Sequence, residues 1–154
     1  MRVSVHSEIH DSGRAQRRAG AAAVETAIVI GVCLLFMFAI LQYAHYVMIR
    51  QVVENAAREG ARQAVVKTSS ATTADIQAVV QQYLSGQNLS NLSIQVYEAD
   101  PATGANIGPW TSTQWGQGIA VEVSGTYKSI LPSFGFLPNT VNVHVKSIMR
   151  SEAN

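Results

Sequence analysis

Glu25 is the residue whose type and place most demand a chemical explanation. It stands at the head of a run, Thr26 to Ile49, that holds no Asp, Glu, Lys or Arg. An unpaired carboxylate beside apolar surroundings is costly. Either Glu25 marks the end of an apolar helix, as charged residues often do, or it has a partner. Other chemistry-bearing side chains do not gather. His6, His10, His45 and His144 show no metal-ligand spacing. Cys33 is the only cysteine, so no intramolecular disulfide forms. Within the apolar run it is a small hydrophobe rather than a reactive thiol. No G-x-S-x-G, Walker or dinucleotide glycine pattern is present, and no His–Asp arrangement organises a Ser or Thr as a nucleophile. Glu122 and Lys146 fall on the polar faces of strands, where solvation accounts for them. The expectation is no catalytic residue, no metal site and no cofactor.

The element that positions Glu25 is the apolar run itself, "IVIGVCLLFMFAILQYAHYVMI", which contains no proline. Twenty-four helical residues at about 1.5 Å each reach roughly 36 Å, enough for a hydrocarbon core of about 30 Å. Charged residues make up only 14% of the chain while hydrophobic ones make up 47%. That is low against the roughly 25% charge of ordinary soluble domains, and the deficit lies in this run. A single membrane span over residues 26–49 follows. Net charge is +1, which gives no field for nucleic acid.

Residues 1–20 carry Arg2, Arg14, Arg17 and Arg18 among Ser, Gly and Gln and read as a leader. It differs from a secretory signal peptide, because the small-residue pair Gly20-Ala21 lies before the apolar region and not after it. Arg50, Arg58, Arg62 and Lys67 follow the span, so the basic count is even on the two sides. The denser cluster beside Gly20 and the larger polar C-terminal part favour the N-terminus inside and the C-terminus outside.

Beyond the span the helix continues. Ala56, Gly60 and Ala64 repeat every four residues, a seam of small side chains that lets another element approach closely. The seam serves either a neighbouring subunit or this chain's own C-terminal domain. Glu54, Arg58, Glu59 and Arg62 form the polar side, with Glu54 and Arg58 in the favourable i, i+4 order. Thr72 or Thr73 caps a second helix with Asp75 in its first turn; Ile76, Val79, Val80, Tyr83 and Leu84 face a core, and Gly86 fits the C-terminal cap. Three alternating runs follow: Leu92, Ile94 and Val96; Ile119, Val121 and Val123; Val141, Val143 and Val145. Trp110 and Trp115 lie in one long linker, and Phe134, Phe136 and Leu137 in another. Burial is the expectation for these side chains. The predicted fold class is α+β: a long N-terminal membrane-spanning helix continuing outside the membrane, then a small domain of one helix packed on a three-stranded antiparallel sheet.

A basic stretch, Gly20, and then Glu25 as the fifth residue from Ala21 together resemble the processing region of type IV prepilins. With "VVENAAREGARQAVV" from Val52 to Val66, residues 18–66 resemble the TadE-like family of minor pilins or pseudopilins of the tight-adherence (Tad/Flp) pilus system. The strand "VHVKSIMRSE" is a looser likeness. The chain departs from the family pattern in carrying Thr26 where an aromatic residue is usual. The resemblance implies a cytoplasmic leader (1–20) cut between Gly20 and Ala21 by a prepilin peptidase, a long helix (21–67) and an extracytoplasmic domain (68–154). It implies that Glu25 pairs with the α-amine of a neighbouring subunit. It also implies an inner-membrane location and, as partners, other pilin subunits, the pilus assembly machinery and membrane lipid, with no nucleic acid. Two other classes fit the same residues: a membrane-anchored ligand-binding or sensing module, and a membrane-anchored hydrolase of unfamiliar type.

Overall fold

The computed structural model describes residues 6–68, 70–130 and 139–151, with side chains from Gly20 onward. Helix α1 spans His6–Val66, α2 Thr73–Leu84, and the strands are β1 Leu89–Ala99, β2 Asn106–Gly108, β3 Gly118–Lys128 and β4 Thr140–Arg150. A 3-10 turn, Trp110–Ser112, lies between β2 and β3. The chain divides into two compact units, Met1–Leu41 and Gln42–Asn154.

In the first unit α1 is the only described element. It begins at His6, inside the stretch read as a leader. From Gly20 to Leu41 every side chain is exposed except that of Phe38, which is half-buried. The helix from Gly20 to Val66 is long and apolar enough to cross a membrane by length and composition. Thr26 does not leave its hydroxyl unsatisfied there: Oγ1 donates to the Ala22 carbonyl at 2.8 Å, the bond a helix offers its own Thr side chains.

The second unit is a curled antiparallel sheet in the order β2-β1-β3-β4, with α2 and the later part of α1 on one face. The sheet has four strands, not three. The extra strand, Asn106–Gly108, pairs with Glu98 and Ala99 alone, across an irregular register. Three residues in a Gly/Pro-rich linker carry no alternation to betray them. On the core face of β3, Ile119, Val121, Val123 and Tyr127 are buried, and Val143 and Val145 of β4 join them. β1 departs from strict alternation. Ser90 pairs Thr126 and Ser93 pairs Ser124, so β1 holds one residue more than β3 between them, and Asn91 takes φ +52°. This bulge sets both Leu89 and Leu92 beside Gly125, where an added Cβ would stand 3.6 Å from Leu89 Cβ and 3.7 Å from Leu92 Cδ1.

α2 starts with the capping box its sequence announces. Thr72 is the N-cap; the Asp75 amide donates to Thr72 Oγ1 at 3.3 Å and the Thr72 amide donates to Asp75 Oδ2 at 2.8 Å. The Thr72 amide first, and next the Thr72 hydroxyl donating to Asp75 Oδ2 at 2.8 Å, hold the Asp75 carboxyl below its ordinary pKa. At the other end Gly86, just past the Ser85 cap, takes φ +104°. Ile76, Val80 and Leu84 are the buried stripe. Tyr83, expected to face the core, is instead 53% exposed. It stands to one side of that stripe and lines a shallow groove with Val52, Asn55 and Arg58 of α1.

The two tryptophans part company. Trp110 is 2% exposed, and its Nε1 donates to Thr73 Oγ1 at 2.9 Å, tying the linker to the start of α2. Trp115, also expected to be buried, is 71% exposed. Its turn is held by backbone bonds, Gly116 to the Ser151 carbonyl at 3.0 Å and Ser151 to the Gln117 carbonyl at 2.8 Å, which need no help from the indole. Phe134, Phe136 and Leu137 lie outside the described residues.

Candidate assembly sites

Gly20, Ala21 and Glu25 all lie on α1 in the first unit, and all are exposed. A side chain added at Gly20 would meet nothing within 4 Å, so local packing does not require glycine there. Ala21 and Glu25 are one turn apart and share a helix face, with about 5–6 Å expected between their Cβ atoms. Among the described residues no side chain pairs with the Glu25 carboxylate. The segment therefore presents a small-residue pair and, one turn on, a carboxylate on an apolar helix.

The small-residue seam lies in the second unit, and this chain fills it. Ala56 and Ala64 are fully buried, as are Ala57 and Ala61 beside them. Gly60 is buried where α1 crosses α2 and β3: an added Cβ would stand 2.5 Å from Val80 Cγ2, 3.4 Å from Val121 Cγ1 and 3.7 Å from Ile76 Cγ2. Of the two uses the spacing allows, this state shows packing on the chain's own domain. The polar side of α1 carries Arg58–Glu54 at 3.0 Å and a forked Arg62–Glu59 pair, Nη2 to Oε1 at 2.8 Å and Nε to Oε2 at 3.0 Å. The fork lowers the Glu59 pKa and raises that of Arg62. Exposed pairs of this kind contribute little stability.

The outer face of the sheet gathers a cluster that strand alternation alone does not reveal. Glu122 and Lys146 are paired across β3 and β4. Glu122 Oε2 accepts from the Tyr97 hydroxyl at 2.7 Å, and His144 Nε2 lies 2.8 Å from Oε1. Lys146 Nζ stands 3.6 Å from Glu122, donates to the Gly104 carbonyl at 3.1 Å, and lies 5.5 Å from the centre of the Tyr97 ring. The His144 contact first, and the Tyr97 hydroxyl next, hold the Glu122 carboxyl below the ordinary range. Burial pushes the Tyr97 phenol up. Tyr97, Ala99 and Ala120 make a small second core on this face. The turn Asp100–Ala105 folds over it, bringing Gly104 against Ile148. The sequence places Glu122 and Lys146 on one side of the sheet. It does not show that a turn closes over them.

Among the described residues, a long apolar N-terminal helix followed by a small helix-on-sheet domain defines a class: chains whose N-terminal helix fits a single-pass membrane anchor. Within that class the family model described as TadE-like protein matches residues 20–62. The match is a likeness of this segment, under a third of the chain; it starts at Gly20 and ends within the small-residue seam. It points to a Tad pilus-associated protein. No curated protein and no solved structure matches the chain.

Proposed function

We propose that the chain is a minor pilin or pseudopilin of a tight-adherence pilus, cut by a prepilin peptidase between Gly20 and Ala21 and used in pilus assembly or initiation. The observation that carries this reading is the TadE-like match beginning at Gly20, on a helix whose side chains, Phe38 excepted, are exposed from that residue to Leu41. These 22 positions, all exposed but Phe38, would span about 33 Å, which suits the hydrocarbon core. We place the span there, ending near Leu41 because burial in the second unit begins within the next two turns, Ile49 being 3% exposed. In this reading the N-terminus is cytoplasmic, the second unit is extracytoplasmic, and the membrane is the inner one. Partners are the peptidase, other pilin subunits and the assembly machinery. The chain performs no catalysis of its own; Glu25 serves registration of neighbouring subunits.

The pairing logic is electrostatic. Cleavage would create a positive α-amine on Ala21. A carboxylate near the membrane edge costs about 1–2 kcal/mol, less than the roughly 2.5–3.5 kcal/mol at mid-bilayer. A neighbour in the right register satisfies that charge and one in the wrong register does not, which makes the carboxylate a register device.

N-terminal sequencing of protein extracted from membranes tests the processing step. The expected first residue is Ala21, and Gly20→Leu is expected to leave the leader attached while the protein still enters the membrane. The leader is about 2 kDa, which a gel resolves. Recovery of Met1 from wild type in cells that contain the peptidase would show the site assignment to be wrong.

A further inference from the structure

We infer that the outer edge of β4 docks an extended segment of another protein, one in which apolar residues alternate with carboxylates and which pairs antiparallel with β4. The inference lies wholly within the second unit and does not depend on the pilin reading.

The ladder bonds of β4 decide which backbone groups it offers. At its two ends the Ser129 amide donates to the Asn139 carbonyl at 2.8 Å, and the Ser151 amide donates to the Gln117 carbonyl at 2.8 Å. Both bonds keep the register that runs unbroken between Gly118↔Arg150 and Lys128↔Thr140. Bonded and non-bonded pairs alternate along an antiparallel ladder, so odd-numbered residues of β4 turn their backbone groups toward β3 and even-numbered ones turn them outward. Asn142, His144, Lys146, Ile148 and Arg150 thus present amides and carbonyls away from the sheet over about 27 Å. Among the described residues no backbone group outside the sheet pairs with them. The helices leave this edge clear. His45 of α1 packs edge-on against Tyr127 of β3, ring centroids 5.3 Å apart, and Gly60 of α1 lies against Val121 of β3. Gln77 of α2 donates to the Ile94 carbonyl of β1 at 2.9 Å. These contacts set α1 over β3 and α2 over β1, inward of the edge.

Long edge strands are ordinarily blunted by a proline, a bulge or an outward charge. β4 has no proline and no bulge. Its one lysine, Lys146, is drawn over the outer face by Glu122 and the Gly104 carbonyl and does not guard the edge. The opposite edge of the sheet is blunted, because β2 is three residues long and its register is irregular. The side chains of β4 select the occupant. Its outer face carries His144, Lys146 and Arg150 and no Asp or Glu. Glu122, one strand inward, is already shared by His144 and Lys146. Arg150 is exposed and has no carboxylate partner among the described residues. On the core face Val141, Val143, Val145 and Met149 carry the apolar row to the edge. An added strand therefore meets cations at one set of alternate positions and hydrocarbon at the other, which an alternation of carboxylates and apolar side chains complements. A second copy of β4 would bring more cations to the same row.

The test uses the full-length chain in phospholipid nanodiscs and a capped peptide, as long as residues 142–150, in which valine alternates with glutamate. Amide hydrogen exchange is read residue by residue. With peptide in excess, exchange at Lys146 and Ile148 is expected to slow by about tenfold or more, while Val145 and Ser147, already bonded to β3, stay unchanged. Methylating the glutamate nitrogens, which face β4 in an antiparallel pair, is expected to abolish this protection; methylating the valine nitrogens, which face away, is expected to preserve it. A peptide with lysine in place of glutamate is expected to bind about tenfold or more weakly. Absence of protection with the glutamate peptide, or protection that survives methylation of its glutamates, would overturn the docking edge. Equal binding of the lysine peptide would overturn the acidic occupant. Protection of Lys146 and Ile148 that grows with chain concentration in the absence of peptide would assign the edge to a second copy and overturn the inference.

Discussion

Gly60 of α1 and Val80 of α2 meet with no room for a side chain between them: a Cβ at Gly60 would stand 2.5 Å from Val80 Cγ2. Alanine at an exposed helix interior gains up to about 1 kcal/mol over glycine. At this position the gain is outweighed, because Val80 is fully buried and stiff at χ1 and cannot turn away. Overpacking of this kind costs about 1–3 kcal/mol. Gly60→Ala is expected to destabilise the domain by about 1 kcal/mol in chemical unfolding. In the Val80→Ala background the same change is expected to be neutral or stabilising. A stabilised Gly60→Ala single variant would show that the close approach is not there.

The capping box at the start of α2 yields a second expectation. Thr72→Ala removes the acceptor for the Asp75 amide and the donor to its carboxylate. The expected loss is about 1 kcal/mol, with Thr72→Ser retaining most of the stability. A thermal melt that leaves Thr72→Ala at the wild-type midpoint would speak against the cap.

Acidification should act through Glu122. Its carboxyl is held below its ordinary value of 4.5 by His144 and Tyr97. A carboxylate whose pKa is lowered on folding contributes its stability fully above the unfolded value, and loses it as pH falls through the folded value. Glu122→Gln is accordingly expected to cost about 1 kcal/mol at neutral pH and to cost progressively less below pH 4.5. Unfolding free energies of the two proteins measured from pH 7 to pH 3 should converge. Parallel curves would remove Glu122 from the account of acid sensitivity.

Glu25→Ala separates assembly from insertion. The change makes the span more apolar, so membrane recovery is expected to equal or exceed wild type. If Glu25 pairs with a neighbour's amine as proposed, pilus formation is expected to be lost and cleavage after Gly20 to be retained. Normal piliation with Glu25→Ala would reduce the residue to a marker of the helix end.

The parts of this fold legible in sequence are those governed by a local period. The apolar run, the Thr72–Asp75 cap, Gly86 and the valine alternation of β3 and β4 each follow from residues close together in the chain. What escaped depends on partners distant in sequence. β2 exists only because Glu98 and Ala99 offer it an edge, and Leu89 joins the core only because a bulge at Asn91 shifts the alternation. Trp110 and Trp115 look equivalent five residues apart, yet one finds Thr73 and the other finds solvent. The seam Ala56–Gly60–Ala64 announced a close approach in its spacing. Its occupant, α2 and β3 of the same chain, required the tertiary structure. The Glu122 cluster was half legible: its members sit on one side of their strands, but the turn bringing Gly104 to Lys146 has no sequence signature.

His45 of α1 packs edge-on against Tyr127 of β3, and Gly60, further along α1, lies against Val121, so within the second unit the helix and the strand run side by side in opposite directions. A pull on α1 from residue 42 acts nearly along the strands, so it must slide the face of Ile49, Val53, Ala56 and Gly60 over the sheet as a whole. Loaded in shear, those contacts yield together and not one after another, unlike a hairpin peeled from its end. Forced extraction is governed by the rate of unfolding, and a geometry that breaks many contacts at once keeps that rate low. Tension applied at residue 42 would therefore leave the sheet intact until the whole helix–sheet face gives way.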